Sequence, residues 1–302
     1  MELGMIGLGR MGANMTERLI NGGHQVAAYD QSPEAVKRAA AVGASGANTL
    51  KELVNKLHQP RIVWTMVPSG KPVDETISAL VPLLSRGDII IDGGNSNYKE
   101  TMRRGAELGE KGIDYVDVGT SGGIWGLKEG YSLMIGGDEG VVKKLSPIFA
   151  TLAPAADRGW GYVGPHGSGH FVKMVHNGIE YGMMQAYAEG FAILNAKKEF
   201  GLDLAQVSEI WKHGSVVRSW LLDLTADALS ENPKLAEIAP YVADSGEGRW
   251  TVAEAIELEV PAPIITLSLL RRISSRVENS FADRLLAAMR QKFGGHAIKK
   301  KE

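Results

Sequence analysis

The sequence contains no cysteine. This absence excludes a disulfide framework, a thiolate metal site and cysteine-based catalysis, and it suits a reducing cytosol, so we expect a cytoplasmic protein. Charge of one sign is also scarce, because 33 Lys and Arg nearly balance 35 Asp and Glu to a net charge of -2. Such a balance gives no indication of the basic surface by which proteins bind nucleic acid.

Long apolar runs are missing too. No window approaches the ~18 unbroken apolar residues of a membrane span. The N-terminus opens directly into a short apolar run without a charged leader, so no cleaved targeting segment is expected either.

Residues 1–160 alternate short apolar runs with segments of helical periodicity. The pattern predicts strands at 3–9, 25–30, 61–67, 88–94, 114–119 and 131–137, and helices at 11–22, 33–42, 72–84 and 97–111. Alternation of this kind is typical of an α/β fold with a Rossmann-type, doubly wound parallel sheet.

The remainder of the chain has helical periodicity and no strand alternation. It predicts helices at 170–199, 203–214, 216–230, 251–257 and 263–291, with a loop over 233–250. We therefore expect two domains, a Rossmann domain over 1–164 and an all-α domain over 165–302.

A glycine-rich turn, GLGRMG, follows the first predicted strand and opens a helix. Gly7 permits the tight turn, Gly9 lets a pyrophosphate approach the backbone, and Gly12 lets the helix pack closely on the strand. The helix N-terminus then offers N–H groups to the anion. The turn therefore predicts a dinucleotide site, and a plain turn without ligand is the alternative. The residues expected at this site are Gly7, Leu8, Gly9, Arg10, Met11 and Gly12, with Met66 and Val67 from a later strand end.

Asp30 ends the second predicted strand, eighteen residues after Gly12. A carboxylate there accepts hydrogen bonds from ribose hydroxyls and repels a 2′-phosphate. No arginine follows it in DQSPE. The sequence therefore favours NAD over NADP. The alternative role for Asp30, capping the next helix, suits Ser32 better.

The stretch GSGHFVKMVHNGIEYG, residues 167–182, has an unusual mixture of side chains. At about 100° per residue, Lys173, His176, Asn177, Glu180 and Tyr181 share an arc of roughly 140°. The opposite side holds Phe171, Val172, Met174, Val175, Ile179 and Met183. A solvated face would more often repeat Lys and Glu. We expect the apolar side to be buried and the polar side to be an active-site face, with a mixed surface face as the alternative.

These residue types suit the oxidation of a hydroxy acid. A secondary alcohol needs a base for its proton, and Lys173 can serve if the fold shields its ammonium from water. The resulting 3-keto acid loses CO2 when a donor holds the ketone oxygen, for which Lys173 and Asn177 are available. Carbon protonation then needs a second group, and Glu180 lies two turns further along the same face.

Four motifs resemble the β-hydroxyacid dehydrogenases in sequence order: GMIGLGRMG, DGGNS (92–96), DVGTSGG (117–123) and GHFVKMVHN (169–177). Within that group, KMVHNGIEYG and the tail RQKFGGH (290–296) resemble the decarboxylating 6-phosphogluconate dehydrogenase family. The resemblance covers nearly the whole chain. The length is similar to that of the short form of the family, which has one helical half, and Asp30 stands where long-form NADP enzymes have an Asn-Arg-Thr type sequence.

The resemblance implies oxidative decarboxylation of 6-phospho-D-gluconate to D-ribulose 5-phosphate with NAD and without a metal. It implies that Lys173 is the general base and acid and Glu180 the general acid, assisted by His176 and Asn177. Asn95 would contact both substrate and cofactor. The other implied substrate ligands are Ser121, Gly122, Gly123, Tyr181, Arg249, Thr251, Arg271 (preferred to Arg272), Arg290 and His296.

The resemblance also implies a homo-oligomer, with residues 165–302 binding substrate and mediating dimerisation. A helix over 263–291 would extend roughly 40 Å at about 1.5 Å per residue. Such a helix would project from its own domain and deliver Arg290 and His296 to a neighbour's site.

Two other functions remain open from sequence. One is a different β-hydroxyacid dehydrogenase, or an imine reductase, that acts on a small unphosphorylated substrate; Glu180, Tyr181 and the Arg/His tail argue against it. The other is a nucleotide-binding protein without catalysis, which would be expected to lose Lys173.

Overall fold

The structure is a computed structural model that describes residues 1–294, Ala297 and Lys299. In this part of the chain, one sheet is formed by β1 (Glu2–Ile6), β2 (Gln25–Tyr29), β3 (Ser45–Gly46), β4 (Ile62–Thr65), β5 (Ile89–Asp92), β6 (Asp114–Ser121), β7 (Ser132–Gly137) and β8 (Trp160–Gly164). Their order across the sheet is β3-β2-β1-β4-β5-β6-β7-β8. All six predicted strands are confirmed, whereas β3 and β8 were not predicted.

Helices cover both faces of this sheet, as a doubly wound fold requires. They are α1 (Arg10–Asn21), α2 (Pro33–Ala41), α3 (Leu50–Asn55), α4 (Lys71–Leu80), α5 (Tyr98–Glu110), α6 (Gly126–Glu129) and α7 (Glu139–Leu152). One buried cluster joins alternate strand residues to α1, α2 and α7, and a second joins the intervening residues to α3, α4 and α5. Both clusters are apolar, which explains the continuous Val/Ile runs of the central strands.

The predicted parallel sheet needs one correction. β7 pairs with β6 in antiparallel register, while β8 runs parallel to β7. The connection from Ser121 to Ser132 has only ten residues. A parallel return needs a crossover of about a dozen residues or more, so this short connection reverses the strand direction.

The turn between β1 and α1 is fixed by close backbone contact. Gly7 has a φ of 91°, in the left-handed region that favours glycine. A Cβ on Gly12 would lie 1.9 Å from the carbonyl oxygen of Gly7, whereas a Cβ on Gly9 would meet no atom within 4 Å. Gly12 is thus needed for packing, and Gly9 leaves open space above the turn.

The chain divides into two compact units, Met1–Asn177 and Gly178–Glu302, and the helix α8 (Ser168–Ala196) crosses the division. The later helices are α9 (Leu204–Lys212), α10 (Trp220–Glu231), α11 (Glu247–Glu257), α12 (Pro263–Ser274) and α13 (Phe281–Gly294). The described residues of the second unit are helical without strands, as expected. The predicted boundary between 164 and 165 stays a prediction about domains.

The predicted helix over 263–291 is wrong. α12 ends at Ser274, and α13 begins only at Phe281. The side chain of Ser280 accepts the backbone N–H of Asp283, so Ser280 caps a new helix. A single 40 Å helix therefore does not project the C-terminal tail.

None of the helices in the described residues is long and apolar enough to span a membrane.

The glycine turn gives a test of the fold. Gly12→Ala should lower the free energy of unfolding by about 1–3 kcal/mol, because the added methyl group overpacks against Gly7. Gly9→Ala should cost less than about 1 kcal/mol, the loss expected from a poorer N-cap alone. Urea unfolding of both variants measures the difference, and equal losses would contradict the packing role of Gly12.

Candidate active site

A cleft of about 910 Å³ opens along the turn between β1 and α1. This volume lies at the upper end of the range for small-molecule sites. Of the predicted cofactor residues, it is lined by Gly7, Gly9, Arg10, Met11, Gly12, Asp30, Met66, Val67 and Asn95. The cleft lies at the carboxyl edge of the sheet where the strand order reverses from β1 to β4, which is where open α/β sheets bind ligands.

Leu8 is the predicted cofactor residue that does not line this cleft. Its side chain is buried, and its backbone N–H donates to Oδ2 of Asp30 at 2.6 Å. The other oxygen of Asp30 accepts the N–H of Ser32 at 2.8 Å. Each carboxylate oxygen keeps lone-pair capacity, so Asp30 is oriented by the turn and can still accept hydrogen bonds from a ligand hydroxyl.

The loop after β5 presents Asn95 to the cleft. Below it, buried Asp92 accepts the backbone N–H of Gly94 at 3.1 Å and the hydroxyl of Ser96 at 2.7 Å. The phenol of Tyr115 also donates to Asp92, at 3.0 Å. Burial raises the pKa of Tyr115, so it remains a donor. The residues on either side of Asn95 are therefore both hydrogen-bonded to Asp92, which fixes the loop.

The polar face of α8 turns inward, contrary to one expectation. Lys173 and Asn177 are only 7% and 8% exposed, whereas Val172 and Ile179 are 37% and 52% exposed. The expected burial of the whole apolar side is therefore wrong, although Met174 on that side is buried. Helical periodicity separates two faces but does not say which one packs inside. Buried polar side chains need partners, and these are found close by.

Lys173, His176 and Asn177 form one group with Ser121 at the end of β6. Nδ1 of His176 lies 3.5 Å from Nζ of Lys173 and 3.1 Å from Oδ1 of Asn177. Nε2 of the same ring lies 3.4 Å from the hydroxyl of Ser121. With the proton on Nδ1, the ring donates to Asn177 and accepts from Ser121. With the proton on Nε2, Nδ1 can accept from the Lys173 ammonium.

The turn after Ser121 exposes its backbone at the same end of β6. Gly122 and Gly123 have φ values of 138° and 52°. This region favours glycine, so the SGG sequence is needed for the turn.

In the second unit, the side chain of Tyr181 contacts Arg272 and the segment that precedes α11. Its buried ring carries the guanidinium of Arg272 at 3.5 Å from the ring centroid, a close cation–π contact. Its hydroxyl accepts the backbone N–H of Ser245 at 3.3 Å. Arg272 also donates to the carbonyl of Ala243 at 3.0 Å. Tyr181 and Arg272 therefore both hold residues 243–245, just before α11, by hydrogen bonds to the backbone.

Arg249 shares a carboxylate with a second arginine. It donates to Asp244 through two bonds, of 2.8 and 3.0 Å, and Arg276 donates to the same group at 2.8 Å. The hydrogen bond from Arg249, with that from Arg276, holds the pKa of Asp244 below its usual range. Two guanidinium groups on one carboxylate leave net positive charge, which suits an anionic ligand.

The other predicted catalytic and substrate residues of this unit lie on α8 and α11–α13. Thr251 is buried, donates to the carbonyl of Glu247 at 2.9 Å, and packs against Gly178. Glu180 is half-buried on α8. Arg271 contacts Ser274 at 3.4 Å, and Arg290 is exposed on α13. His296 lies outside the described residues.

Sequence reasoning missed Asp244 and Arg276, and it placed Arg271 ahead of Arg272. Asp244 contacts arginines five and thirty-two residues away. Neither spacing is a recognisable pattern, so only the fold brings these groups together. The preference for Arg271 stays a prediction, while Arg272 is the arginine that contacts Tyr181.

Among the residues that the structure describes, no group of three or more His, Asp or Glu side chains could hold a metal ion.

Family models match almost the whole chain. Residues 2–164 match the NAD binding domain of 6-phosphogluconate dehydrogenase, and residues 169–302 match the 6-phosphogluconate dehydrogenase C-terminal domain. A Bacillus subtilis protein that is provisionally named a 6-phosphogluconate dehydrogenase is 46% identical over 301 residues, with both chains covered fully.

Two further proteins are similar over the full length of this chain. The NAD(+)-dependent, decarboxylating 6-phosphogluconate dehydrogenase of Haloferax volcanii is 45% identical over 303 residues, with both chains covered fully. The solved 6-phosphogluconate dehydrogenase of Plasmodium falciparum, described with NADP+ and with 6-phosphogluconate, superposes with a TM-score of 0.84 at 32% identity. The match covers 100% of this chain and 67% of the Plasmodium chain. The chain belongs to the 6-phosphogluconate dehydrogenase family.

Proposed function

We propose that the protein catalyses oxidative decarboxylation of 6-phospho-D-gluconate to D-ribulose 5-phosphate and CO2, with NAD as the hydride acceptor. The inward polar face of α8 is the main support for this proposal. A lysine, a histidine and an amide contact one another beside a glycine-rich turn, at the carboxyl edge of a sheet that also forms a dinucleotide-sized cleft. The Haloferax relative bears the name of this activity.

The cleft fits a dinucleotide on the evidence of its own residues. A Cβ on Gly9 would enter empty space, which is the space a pyrophosphate would use, and α1 begins immediately beyond it with unpaired N–H groups. Bound NAD would supply a hydride acceptor. Asp30 would hold the adenosine ribose, and Asn95 would hold the nicotinamide end near the substrate.

Lys173 suits proton transfer at the substrate's C3 hydroxyl. Its side chain is largely shielded from solvent, and His176 lies within contact of Nζ. Lys173 would accept the hydroxyl proton as the hydride leaves. Once protonated, it would donate to the C3 carbonyl oxygen, with Asn177 assisting, while the C1 carboxylate departs as CO2.

Glu180 would protonate the enediol at the carbon that was C2 of the substrate, which becomes C1 of D-ribulose 5-phosphate. It lies seven residues after Lys173 on α8, about 10 Å along the helix axis at about 1.5 Å per residue. The long side chains of Lys173 and Glu180 can converge from this spacing on two neighbouring carbons of the substrate. Asn95, Ser121, Gly122 and Gly123 would hold the sugar acid's carboxylate and hydroxyls.

The substrate phosphate would bind the cations around Tyr181. Arg249 and the Tyr181 hydroxyl provide donors, and Thr251 lies on the same helix as Arg249. Arg271 remains in the proposed set. We add Arg272, because it is held against Tyr181.

Several exposed apolar side chains support a homo-oligomer formed through residues 165–302. On α12, Ile264, Leu267 and Leu270 are each more than half exposed. On α13, Phe281 is 71% and Met289 49% exposed. Apolar surface on this scale marks association sites. We propose that Arg290 and His296 reach a neighbour's active site, as the family resemblance implies, and that residues 1–164 form the NAD-binding domain.

A direct assay tests the proposed reaction. When the protein is mixed with NAD and 6-phosphogluconate, NADH, measured by its absorbance, and trapped CO2 should form together in equal molar amounts. The unphosphorylated hydroxy acid 3-hydroxyisobutyrate should be turned over far more slowly. The proposal would be overturned if NADH formed with 3-hydroxyisobutyrate but not with 6-phosphogluconate.

Two substitutions on α8 test the assigned proton transfers. Lys173→Ala should lower kcat about 10²–10⁴-fold, the usual contribution of a positioned general base, without loss of NAD binding. Exposed Lys144→Ala is the matched control and should leave kcat unchanged. Glu180→Gln should also be slow, with an altered solvent isotope effect. An unchanged rate and isotope effect in Glu180→Gln would assign the carbon protonation to another acid.

Asp30 should determine cofactor choice. Replacing Asp30, Gln31 and Ser32 by Asn, Arg and Thr removes the repulsion of a 2′-phosphate and adds a guanidinium. A charge-assisted contact contributes about 1.5–3 kcal/mol, so the ratio of kcat/KM values should move towards NADP by about tenfold to a hundredfold. Asp30→Asn alone should move the ratio less. A native protein that already prefers NADP would refute this role of Asp30.

Mixed oligomers test the shared site. Inactive Lys173→Ala protein should regain activity when it assembles with a variant truncated after Met289, because one site then combines intact Lys173 with an intact tail. Different affinity tags allow the heterodimer to be purified before the assay. If purified heterodimers stay inactive, the tail acts within its own subunit.

A further inference from the structure

Asp117 is a fully buried carboxylate that the proposed chemistry does not use. It lies in the middle of β6, and each of its oxygens accepts a backbone N–H from the start of α8. Oδ1 accepts from Gly167 at 2.8 Å, and Oδ2 accepts from His170 at 3.0 Å. The first N–H groups of a helix have no partner within the helix and form the positive end of its dipole. Asp117 therefore caps α8 from a neighbouring strand.

The first turn of α8 lies directly on the sheet backbone. A Cβ on Gly169 would lie 2.5 Å from the carbonyl oxygen of Met134 and 2.7 Å from that of Asp117. A Cβ on Gly119 would lie 2.5 Å from Cβ of Lys173. No side chain intervenes at these points, so any displacement of the helix start would displace Lys173 relative to β6.

A second contact fixes the same turn laterally. Nδ1 of buried His170 lies 2.7 Å from the hydroxyl of Thr101 on α5. That hydroxyl also donates to the carbonyl of Asn97 at 3.2 Å, so it accepts from the imidazole. The helix start is thus bonded to β6 through Asp117 and to α5 through His170.

β6 connects this anchor to the substrate turn. Ser121 follows Asp117 by four residues on the same strand, and Lys173 follows His170 by three residues on the same helix. The relative position of Lys173 and Ser121 therefore depends on how the strand holds the helix. We propose that Asp117 is a positioning residue, which sets Lys173 against the Ser121-Gly122 turn by capping α8. This inference rests on the proposed function and deepens it.

Asp117→Asn tests the proposal, with Asp88→Asn as a matched control. Asp88 is equally buried and likewise accepts two backbone N–H groups, from Arg61 and Ser85, each at 2.8 Å. It immediately precedes β5, at the opposite edge of the sheet from the cleft. Both variants leave an amide where a carboxylate accepted two backbone donors, and Asp88 also pairs with the guanidinium of Arg61 at 3.2 Å, so both should melt at lower temperature. A purely structural role would make their kinetics alike.

We expect different kinetics for the two variants, measured below both melting temperatures. Asp117→Asn should lower kcat about tenfold to a hundredfold, the usual effect of a displaced catalytic group, with KM for NAD unchanged. The acidic limb of its kcat/KM profile should move to lower pH, because loss of a buried negative charge near the helix start disfavours the Lys173 ammonium. Asp88→Asn should keep the wild-type kcat and the wild-type limb.

Three results would overturn the inference. They are a wild-type kcat and pH profile in Asp117→Asn, an equal loss of kcat in Asp88→Asn, or a reduced kcat in Asp117→Asn with no movement of the limb. A wild-type protein inactive on 6-phosphogluconate would instead overturn the proposed function, and the positioning inference with it. If Asp117→Asn does not fold, Asp117→Ser retains one accepting oxygen without a buried amide donor and should show the same change in kcat and pH profile.

Discussion

The burial of a polar helix face is the constraint on which the site depends. The buried amino and amide groups, and the half-buried imidazole beside them, each need a partner, since an unpaired polar group costs several kcal/mol when buried. Here they partner one another and Ser121. Such a group can form only if the helix approaches the sheet closely. Gly119 on β6 and Gly169 in the first turn of α8 allow this close approach, because a Cβ at either position would lie 2.5 Å from a neighbouring atom.

The fold was largely predictable because its signals are local. Six strands, the glycine turn and the site of Asp30 follow from apolar runs and from residues that end them. The missed elements have weak local signals. β3 has two residues, glycines dilute the pattern of β8, and α7 contains Pro147. The break between α12 and α13 has a weak local signal, because a single serine cap, Ser280, lies within a segment of apparent helical periodicity.

The grouping of three polar residues on α8 was predictable from the sequence, but their arrangement was not. Helical periodicity grouped Lys173, His176 and Asn177 correctly, yet it could not say which face of α8 turns inward. The paired arginines on Asp244 and the stacking of Arg272 on Tyr181 join distant parts of the sequence. Contacts of this kind are set by tertiary packing, and no spacing along the chain specifies them.

Asp244 has a consequence for ligand selection. Because it already engages Arg249 and Arg276, it is an internal competitor for any anion that approaches those arginines. A singly charged carboxylate offers them no more than Asp244 does. A phosphate dianion offers a larger charge and a third oxygen. In the proposed phosphate site, this competition would favour a dianion over a singly charged carboxylate, so ligands would be selected by charge as well as by shape.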